Sequence, residues 1–297
     1  MPDAVAPRDG SWRSGYSRSM SNFVSASELN DLLAQGAPVR VIDVRWSLDR
    51  PDGHGEYLSG HVPGAVYVPL HTELATHGEP AEGRHPLPST QKLQSAARRW
   101  GVNQGDIVVA YDDSKGLGAA RAWWLLRQAG VDVRVLDGGI RAWVTAGFAL
   151  ATDDVVPDPG DVVLDEIGAD AISIDEAAAF PASGILLDVR APERYRGETE
   201  PYDPVAGHIP GALNVPMAAH LDAEGKILDE DTLQATFASV GVTAGTPVAA
   251  YCGSGVTAAH TALVAAEVGI PLKVYPGSWS QWSNTPGRPV ATGDQPG

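Results

Sequence analysis

The chain contains one set of segments twice, in the same order along the sequence. Each segment of the first half has a counterpart of similar pattern in the second half. Matching segments in a fixed order indicate two copies of one domain, so each copy must bury its own core. The pairs are VRVIDVRW (39–46) with GILLDVRA (184–191), SGHVPGAVYVPL (59–70) with AGHIPGALNVPM (206–217), and the longer segment 107–143 with 247–282.

Both copies alternate short apolar runs with stretches of helical periodicity. In the first copy VRVIDV, AVYVPL and DIVVAY are typical of buried strands, and SASELNDLLAQG and ARAWWLLRQAG are typical of helices. Strands separated by helices predict a parallel sheet that is covered on both faces. We therefore expect an α/β protein made of two doubly wound domains.

A segment rich in Pro, Asp and Gly, ATDDVVPDPGD at 151–161, separates the copies and is typical of a linker. The first twenty residues lack the apolar region of a signal peptide, so we expect a disordered extension there, with Met20 as an alternative start. The expected divisions are an extension at 1–21, a first domain at 22–150, a linker at 151–168 and a second domain at 169–292.

Composition narrows the functional classes. The net charge of −16 argues against a nucleic-acid partner, because phosphate binding needs clustered Lys and Arg. No apolar run approaches the roughly 20 residues of a membrane span, so no membrane partner is expected. The single cysteine is typical of a reducing compartment and gives no zinc-ligand spacing. We expect a cytoplasmic protein without a metal site.

The single cysteine, Cys252, lies in the sequence AYCGSGVTAAH. A predicted strand, PVAAY at 247–251, precedes it, and a predicted helix at 258–269 follows. Cys252 therefore comes directly after the carboxyl end of a parallel strand, which is where ligands bind in open α/β sheets. Its position in the predicted fold favours a functional role.

The small residues after Cys252 can turn their backbone N–H groups inward and form a nest for an anion, with a helix N-terminus behind it. Such a nest favours a thiolate, which is a nucleophile, over a thiol. The alternative is a small buried cysteine without chemistry. The candidates in this loop are Cys252, Ser254 and Thr257 for catalysis, and Gly253, Gly255 and Val256 for binding the substrate.

The first copy carries a different residue at the position of the cysteine. Its loop, YDDSKGLGA, has Asp112 where the second copy has Cys252. An aspartate cannot perform thiolate chemistry. We therefore expect the second copy to be catalytic and the first copy to support it.

The repeated D-V-R and G-H-x-P-G-A segments and the Y-C-G-S-G-V-T-A loop resemble those of the tandem-domain rhodanese sulfurtransferases, over about residues 22–290. The resemblance implies an inactive N-terminal domain and a ping-pong sulfur transfer through a persulfide on Cys252. The acceptor would be cyanide, a small thiol or a reduced thioredoxin-like protein. The resemblance implies no metal and no organic cofactor.

The residues after the cysteine differ within this family according to the sulfur donor. Members that prefer thiosulfate carry basic residues there, whereas members that prefer mercaptopyruvate carry Gly-Ser-Gly. Gly253 and Ser254 therefore imply 3-mercaptopyruvate, with thiosulfate as the alternative. The family's substrate-binding arginine matches Arg194, whose guanidinium fits a carboxylate in a bidentate manner. The alternative for Arg194 is a solvated loop charge.

Two features depart from the family pattern. Some mercaptopyruvate enzymes hold a second arginine shortly after the one that matches Arg194. This chain has the sequence Tyr202-Asp203-Pro204 in that stretch. The same enzymes use a histidine and an aspartate of the first domain. The histidine matches His85, which would donate a proton or hydrogen bond to the departing pyruvate enolate or serve only as an interdomain contact. The aspartate position holds His71, so a relay built on aspartate cannot operate unchanged.

Two further functions are weighed against sulfur transfer. A cysteine phosphatase needs an arginine six positions after its cysteine, and this chain has Ala258 there, so we reject this function. A catalytically silent rhodanese-like module would dock partners through the cleft between its domains. Such a module would tolerate loss of the cysteine, and the retained Cys252 argues against it.

Overall fold

The computed structural model describes residues 21–297. The extension predicted at 1–21 lies outside the described residues, apart from Ser21.

The first domain is built on a parallel sheet. The strands are β1 (Phe23–Val24), β2 (Val39–Asp43), β3 (Val66–Tyr67), β4 (Ile107–Tyr111) and β5 (Asp132–Leu136). They pair in the order β1-β5-β4-β2-β3, and every pair is parallel. The apolar side chains of β4 are buried because helices cover both faces of the sheet.

Helices alternate with these strands. The first of them begins at a capping box, in which Ser25 and Glu28 exchange hydrogen bonds with each other's backbone. The helices are α1 (Ala26–Ala34), α2 (His54–Ser59), α3 (Leu70–Glu73), α4 (Thr90–Arg99), α5 (Leu117–Gln128) and α6 (Gly139–Thr145), with a 3-10 turn at Pro80–Glu82.

The second domain repeats this plan with a smaller sheet. Its strands are β6 (Ile185–Asp188), β7 (Leu213–Asn214), β8 (Val248–Tyr251) and β9 (Leu272–Val274). They are parallel and lie in the order β7-β6-β8-β9. At the edge where the first sheet has β1, a single parallel bridge joins Ala171 to Val274.

The helices of the second domain follow the same sequence of connections. They are α7 (Ile174–Ala179), α8 (Pro192–Tyr195), α9 (Glu230–Ser239), α10 (Val256–Glu267) and α11 (Ser278–Ser283), with 3-10 turns at Phe180–Ala182 and Met217–His220. The helix predicted at 258–269 begins two residues earlier than expected, because Gly255 adopts a left-handed conformation and starts it.

The duplication holds for individual contacts. In each D-V-R segment the aspartate and the arginine form a buried ion pair, Asp43 with Arg45 and Asp188 with Arg190, each with an Nη2–Oδ2 distance of 2.6 Å. Because both copies contain this pair, we interpret Arg190 as a structural residue of the repeat.

The histidines of the two G-H-x-P-G-A segments are also equivalent. The Nδ1 atom of His61 lies 2.9 Å from the carbonyl of Tyr57, and that of His208 lies 2.8 Å from the carbonyl of Tyr195. Each imidazole stacks on the ring of the same tyrosine. Both histidines therefore hold the turn before the next strand in the same way.

Helices α5 and α10 pack against each other and join the two domains in one continuous core. They are equivalent in the repeat, since Gly116 and Gly255 start them in the same left-handed conformation. Arg121 and His260 occupy the same position along the two helices. Both of these side chains are buried where the domains meet.

The predicted fold class is confirmed: two parallel sheets flanked by helices, one in each domain. The residue boundaries given above for the domains and the linker stay a proposal. Among residues 21–297, no helix combines the length and the apolar character that a bilayer span requires.

Buried histidines make the stability of this fold sensitive to pH. Burial lowers the pKa of His220 to about 4 and that of His85 and His260 to about 3. A histidine in the unfolded chain titrates near 6.5, so below that pH the unfolded state binds more protons than the folded state. The free energy of unfolding therefore falls as the pH drops from about 6.5 towards 4, by about 2 kcal/mol per histidine at pH 5.

Replacing His220 isolates one of these contributions. Neither ring nitrogen of His220 has a hydrogen-bond partner among the described residues, and the ring stacks on Phe237. We predict that His220→Phe loses about 2 kcal/mol less stability than the wild type between pH 7 and pH 5, measured by urea denaturation. His77→Gln, at an exposed position, serves as the control. Equal losses in wild type and His220→Phe would contradict the prediction.

Candidate active site

Cys252 lies directly after β8, a central strand of the second sheet, at its carboxyl end. The loop turns sharply into α10 at Gly255, whose φ of +79° is readily adopted only by glycine. A Cβ atom on Gly255 would also collide with the carbonyl of Pro276. The backbone of this loop therefore requires glycine at 255 for two separate reasons.

The thiol of Cys252 is buried, with 2% of the residue exposed. The backbone N–H of Gly255 donates a hydrogen bond to Sγ over 3.1 Å. Ser278 Oγ accepts the N–H of Cys252 and donates to the carbonyl of Tyr275, which fixes the base of the loop. The sulfur thus faces a backbone donor at the start of a twelve-residue helix, and this arrangement stabilises an anion.

The equivalent loop of the first domain shows what these donors bind. The carboxylate of Asp112, at the position of Cys252, accepts hydrogen bonds from the N–H groups of Ser114, Gly116 and Ala119 at 2.7–3.0 Å. Gly116 corresponds to Gly255, the residue that donates to the sulfur. The first domain therefore contains the same anion nest, filled by its own side chain.

A buried cation of the first domain lies behind the cysteine loop. Arg121 is fully buried and donates to the carbonyls of Leu74, His85 and Gly255 at 3.1–3.3 Å. Burial lowers the pKa of Arg121 to about 10, and the proximity of the Cys252 sulfur partly opposes that shift. Among the described residues Arg121 makes no ion pair with a carboxylate, and it holds the carbonyl of Gly255 in the cysteine loop instead.

Arg194 lies at the mouth of the site. A methyl group on Gly253 would lie 3.5 Å from its Nη1 atom. Glu200 accepts hydrogen bonds from its Nη2 and Nε atoms, and the same carboxylate pairs with Arg190. Within residues 21–297, Nη1 of Arg194 has no hydrogen-bond partner of its own.

A second arginine reaches the mouth from the first domain. The same methyl group on Gly253 would lie 3.7 Å from Nη2 of Arg84. Arg84 forms a bidentate ion pair with Asp203, and the ring of Tyr202 contacts the guanidinium groups of both Arg84 and Arg194. The stretch after Arg194 contains no second substrate-binding arginine, but Arg84 of the first domain places a second cation at the mouth of the site.

His85 also enters the site from the first domain. Its Nδ1 atom lies 2.8 Å from Ser254 Oγ, and its Nε2 atom lies 3.2 Å from Nδ1 of His71. Burial is the main cause that lowers the pKa of His85 to about 3, and His71 and the nearby arginines add to it. His85 is therefore a neutral imidazole at physiological pH.

Both copies match one protein-family model, the rhodanese-like domain, over residues 25–146 and 173–285. The chain belongs to the rhodanese family.

Relatives of this rhodanese carry names of both donor types. The chain is 47% identical to "Putative thiosulfate sulfurtransferase SseB" of Mycobacterium tuberculosis, covering 91% of this chain and 97% of that protein. It is 35% identical to the 3-mercaptopyruvate sulfurtransferase of Escherichia coli, covering 85% of this chain and 92% of that protein. The crystal structure of SseA from Escherichia coli superposes with a TM-score of 0.77 at 32% identity, covering 88% of this chain and 99% of that chain.

The structure brings most of the predicted site residues of this rhodanese together. Ser254 and His85 are in contact, Gly253 lies beside Arg194, and Val256 begins α10 directly after Gly255. The Thr257 hydroxyl makes no hydrogen bond within the described part of the chain. The catalytic and binding roles of these residues are proposals.

Sequence reasoning missed Arg84, Arg121 and Trp46 as parts of this site. Arg84 directly precedes His85 in the sequence, and its position next to a candidate site residue could have indicated its role. Arg121 occupies the position of His260 in the repeat, which marks it as a residue at the same interface. Trp46 carried no signal, because its contact with His71 depends on how two distant segments fold together.

The effect of the Arg121 charge on the reactivity of Cys252 can be tested. We predict that Arg121→Gln slows alkylation of Cys252 by iodoacetamide at neutral pH by about tenfold, because a thiolate at Cys252 loses the buried cation behind its loop. Arg121→Lys, which keeps the charge, restores part of the rate. Arg127→Gln on the same helix is the control, and equal rates in Arg121→Gln and wild type would contradict the prediction. Mass spectrometry follows the alkylation.

Proposed function

We propose that this rhodanese is a sulfurtransferase that takes a sulfur atom from 3-mercaptopyruvate through a persulfide on Cys252. The observation that carries the proposal is the position of the Cys252 sulfur. It lies at the carboxyl end of β8 with the N–H of Gly255 donating to it. Arg121 lies behind the loop and Arg194 in front of it.

The first half-reaction transfers one sulfur atom. The Cys252 thiolate attacks the sulfur of the donor and forms the S–S bond, while the C–S bond breaks and its electron pair goes to pyruvate as the enolate. The proton of the donor's thiol is then taken up by the methylene carbon. The balance is Cys-S⁻ + HS-CH₂-CO-COO⁻ → Cys-S-S⁻ + CH₃-CO-COO⁻, and it needs no external acid.

The donor's carboxylate is held at the mouth of the site. Nη1 of Arg194 points towards Gly253 and is available for a charge-assisted hydrogen bond. Arg84 places a second guanidinium beside the same residue. The uncharged Gly253 and Ser254 leave the carboxylate to these two arginines, which favours a keto acid as the donor.

Negative charge develops on the carbonyl oxygen of the donor when the C–S bond breaks. Ser254 carries a hydroxyl two positions from Cys252, and His85 contacts its Oγ atom. A hydrogen bond from Ser254 to this oxygen stabilises the enolate, as a donor does in an oxyanion hole. His85 acts through Ser254 in this scheme.

We expect the persulfide to be held by backbone donors of the second domain that are equivalent to those that bind Asp112 in the first domain. The N–H of Gly255, the counterpart of the Gly116 N–H that binds Asp112, donates to Sγ of Cys252, and we expect the hydroxyl of Thr257 to add a second donor. In the second half-reaction an acceptor takes the outer sulfur, which regenerates the thiolate. Cyanide, a small thiol or a reduced thioredoxin-like protein fits this role, and a cytoplasmic location would keep Cys252 reduced.

Donor preference is the first experiment. We predict that sulfur transfer to cyanide has a higher kcat/KM with 3-mercaptopyruvate than with thiosulfate, because Gly253 and Ser254 bring no charge for a dianion. Thiocyanate formation measures both reactions. Cys252→Ser abolishes both, since no persulfide can form.

The possible results separate the remaining functions. A preference for thiosulfate would overturn the donor assignment and agree with the name of the Mycobacterium tuberculosis relative. Activity with neither donor would favour a silent binding module. Activity that survives in Cys252→Ser would overturn the proposed mechanism itself.

The arginines at the mouth predict a separate effect on KM. Arg194→Met removes a charge-assisted hydrogen bond of about 2 kcal/mol and raises the KM for 3-mercaptopyruvate more than tenfold. The double variant Arg84→Met/Asp203→Asn tests the second cation without leaving a buried carboxylate alone. Arg196→Met, at a surface ion pair with Glu198, is the control. An unchanged KM in Arg194→Met would contradict this assignment.

A further inference from the structure

Four side chains form a continuous line of hydrogen bonds from the core of the first domain to the cysteine loop. Nε1 of Trp46 donates to Nε2 of His71 over 2.6 Å. Nδ1 of His71 lies 3.2 Å from Nε2 of His85, and Nδ1 of His85 lies 2.8 Å from Oγ of Ser254. The line therefore crosses from the first domain into the second.

Chemistry fixes the direction of these hydrogen bonds. An indole N–H can only donate, so Nε2 of His71 is the acceptor and carries no proton. A neutral imidazole has one N–H, so the proton of His71 is on Nδ1 and is donated to His85. Nε2 of His85 then carries no proton, and its Nδ1–H donates to Ser254.

Both imidazoles are neutral in this environment. His85 is buried, and its burial together with His71, His77, Arg84 and Arg121 disfavours a positive charge on its ring. Burial and His77 lower the pKa of His71 as well. The ring of Trp46 packs edge-on against both imidazoles, with centroids 5.5 Å and 5.2 Å away, and this packing fixes their orientation.

The direction of the line determines what Ser254 can do. Because Oγ of Ser254 accepts from His85, its own proton is not used on His85. Within the described residues that hydroxyl makes no other hydrogen bond, and Ser254 is two positions from Cys252. Its proton therefore remains available for a molecule bound at the sulfur.

We propose that Trp46 and His71 are positioning residues that fix the tautomer of His85 and thereby make Ser254 a hydrogen-bond donor to the leaving group of the sulfur donor. This inference rests on the proposed sulfur transfer. An aspartate at position 71 would give the opposite direction: a carboxylate accepts the Nε2–H of His85, and Nδ1 of His85 then accepts the proton of Ser254. The replacement of the family's aspartate by His71 thus reverses the line.

The decisive measurement is the tautomer of His85. In protein labelled with ¹⁵N-histidine, NMR distinguishes an Nδ1–H from an Nε2–H imidazole, and loss of a signal in His85→Gln assigns it. We expect Nδ1–H in the wild type and Nε2–H in His71→Asp. Nε2–H in the wild type, or no change of tautomer in His71→Asp, would overturn the proposal. This result does not depend on activity.

Kinetics then connect the tautomer to catalysis. Trp46→Phe keeps the ring but removes the indole donor, so His71 and His85 are free to exchange tautomers. We expect kcat with 3-mercaptopyruvate to fall about tenfold at little change in KM, against about 100-fold for Ser254→Ala. In Trp46→Phe the rate at which iodoacetamide alkylates Cys252 stays at the wild-type value. A Trp46→Phe variant that keeps full kcat would overturn the positioning role, whereas activity in Cys252→Ser would instead overturn the proposed function.

Discussion

The buried guanidinium of Arg121 is the interaction on which the arrangement of the site depends. It carries a full charge where water cannot reach it, and such a charge is costly unless polar groups surround it. Its hydrogen bonds to the carbonyls of Leu74, His85 and Gly255 meet that requirement and hold a segment of the first domain against the cysteine loop. One side chain therefore fixes both the relative position of the two domains and the electrostatic environment of Cys252.

The first domain keeps the nest for an anion although it has no cysteine. Asp112 supplies the negative charge, and burial raises the pKa of its carboxyl while three backbone hydrogen bonds oppose that rise. The loop and the start of α5 are thereby stabilised without a ligand. This domain contributes other groups to the cysteine site: Arg84 at the mouth, and Trp46, His71 and His85 along the hydrogen-bonded line.

Much of the fold was predictable, because it follows from local patterns that occur twice. The alternation of strands and helices and the place of Cys252 after β8 are local properties of the sequence. The contacts of Arg84 and Arg121 with the second domain were not predictable, because they depend on how the two domains pack, and the contact of Trp46 with His71 depends on how two distant segments of the first domain fold together. The repeat marked Arg121 and His260 as equivalent, but no pattern in the sequence states which loop each side chain reaches.

The division of the site between two domains also affects the order of events during synthesis. Arg84, His85 and Arg121 belong to the half of the chain that leaves the ribosome first, whereas Cys252 lies near the end. The early half can fold around its own carboxylate nest while the cysteine is still being translated. The groups that activate the sulfur meet it only after both sheets have formed and α10 has docked on α5. A nascent or half-folded chain therefore exposes an ordinary thiol without its activating groups, and the activated form of the sulfur arises only in the completed molecule.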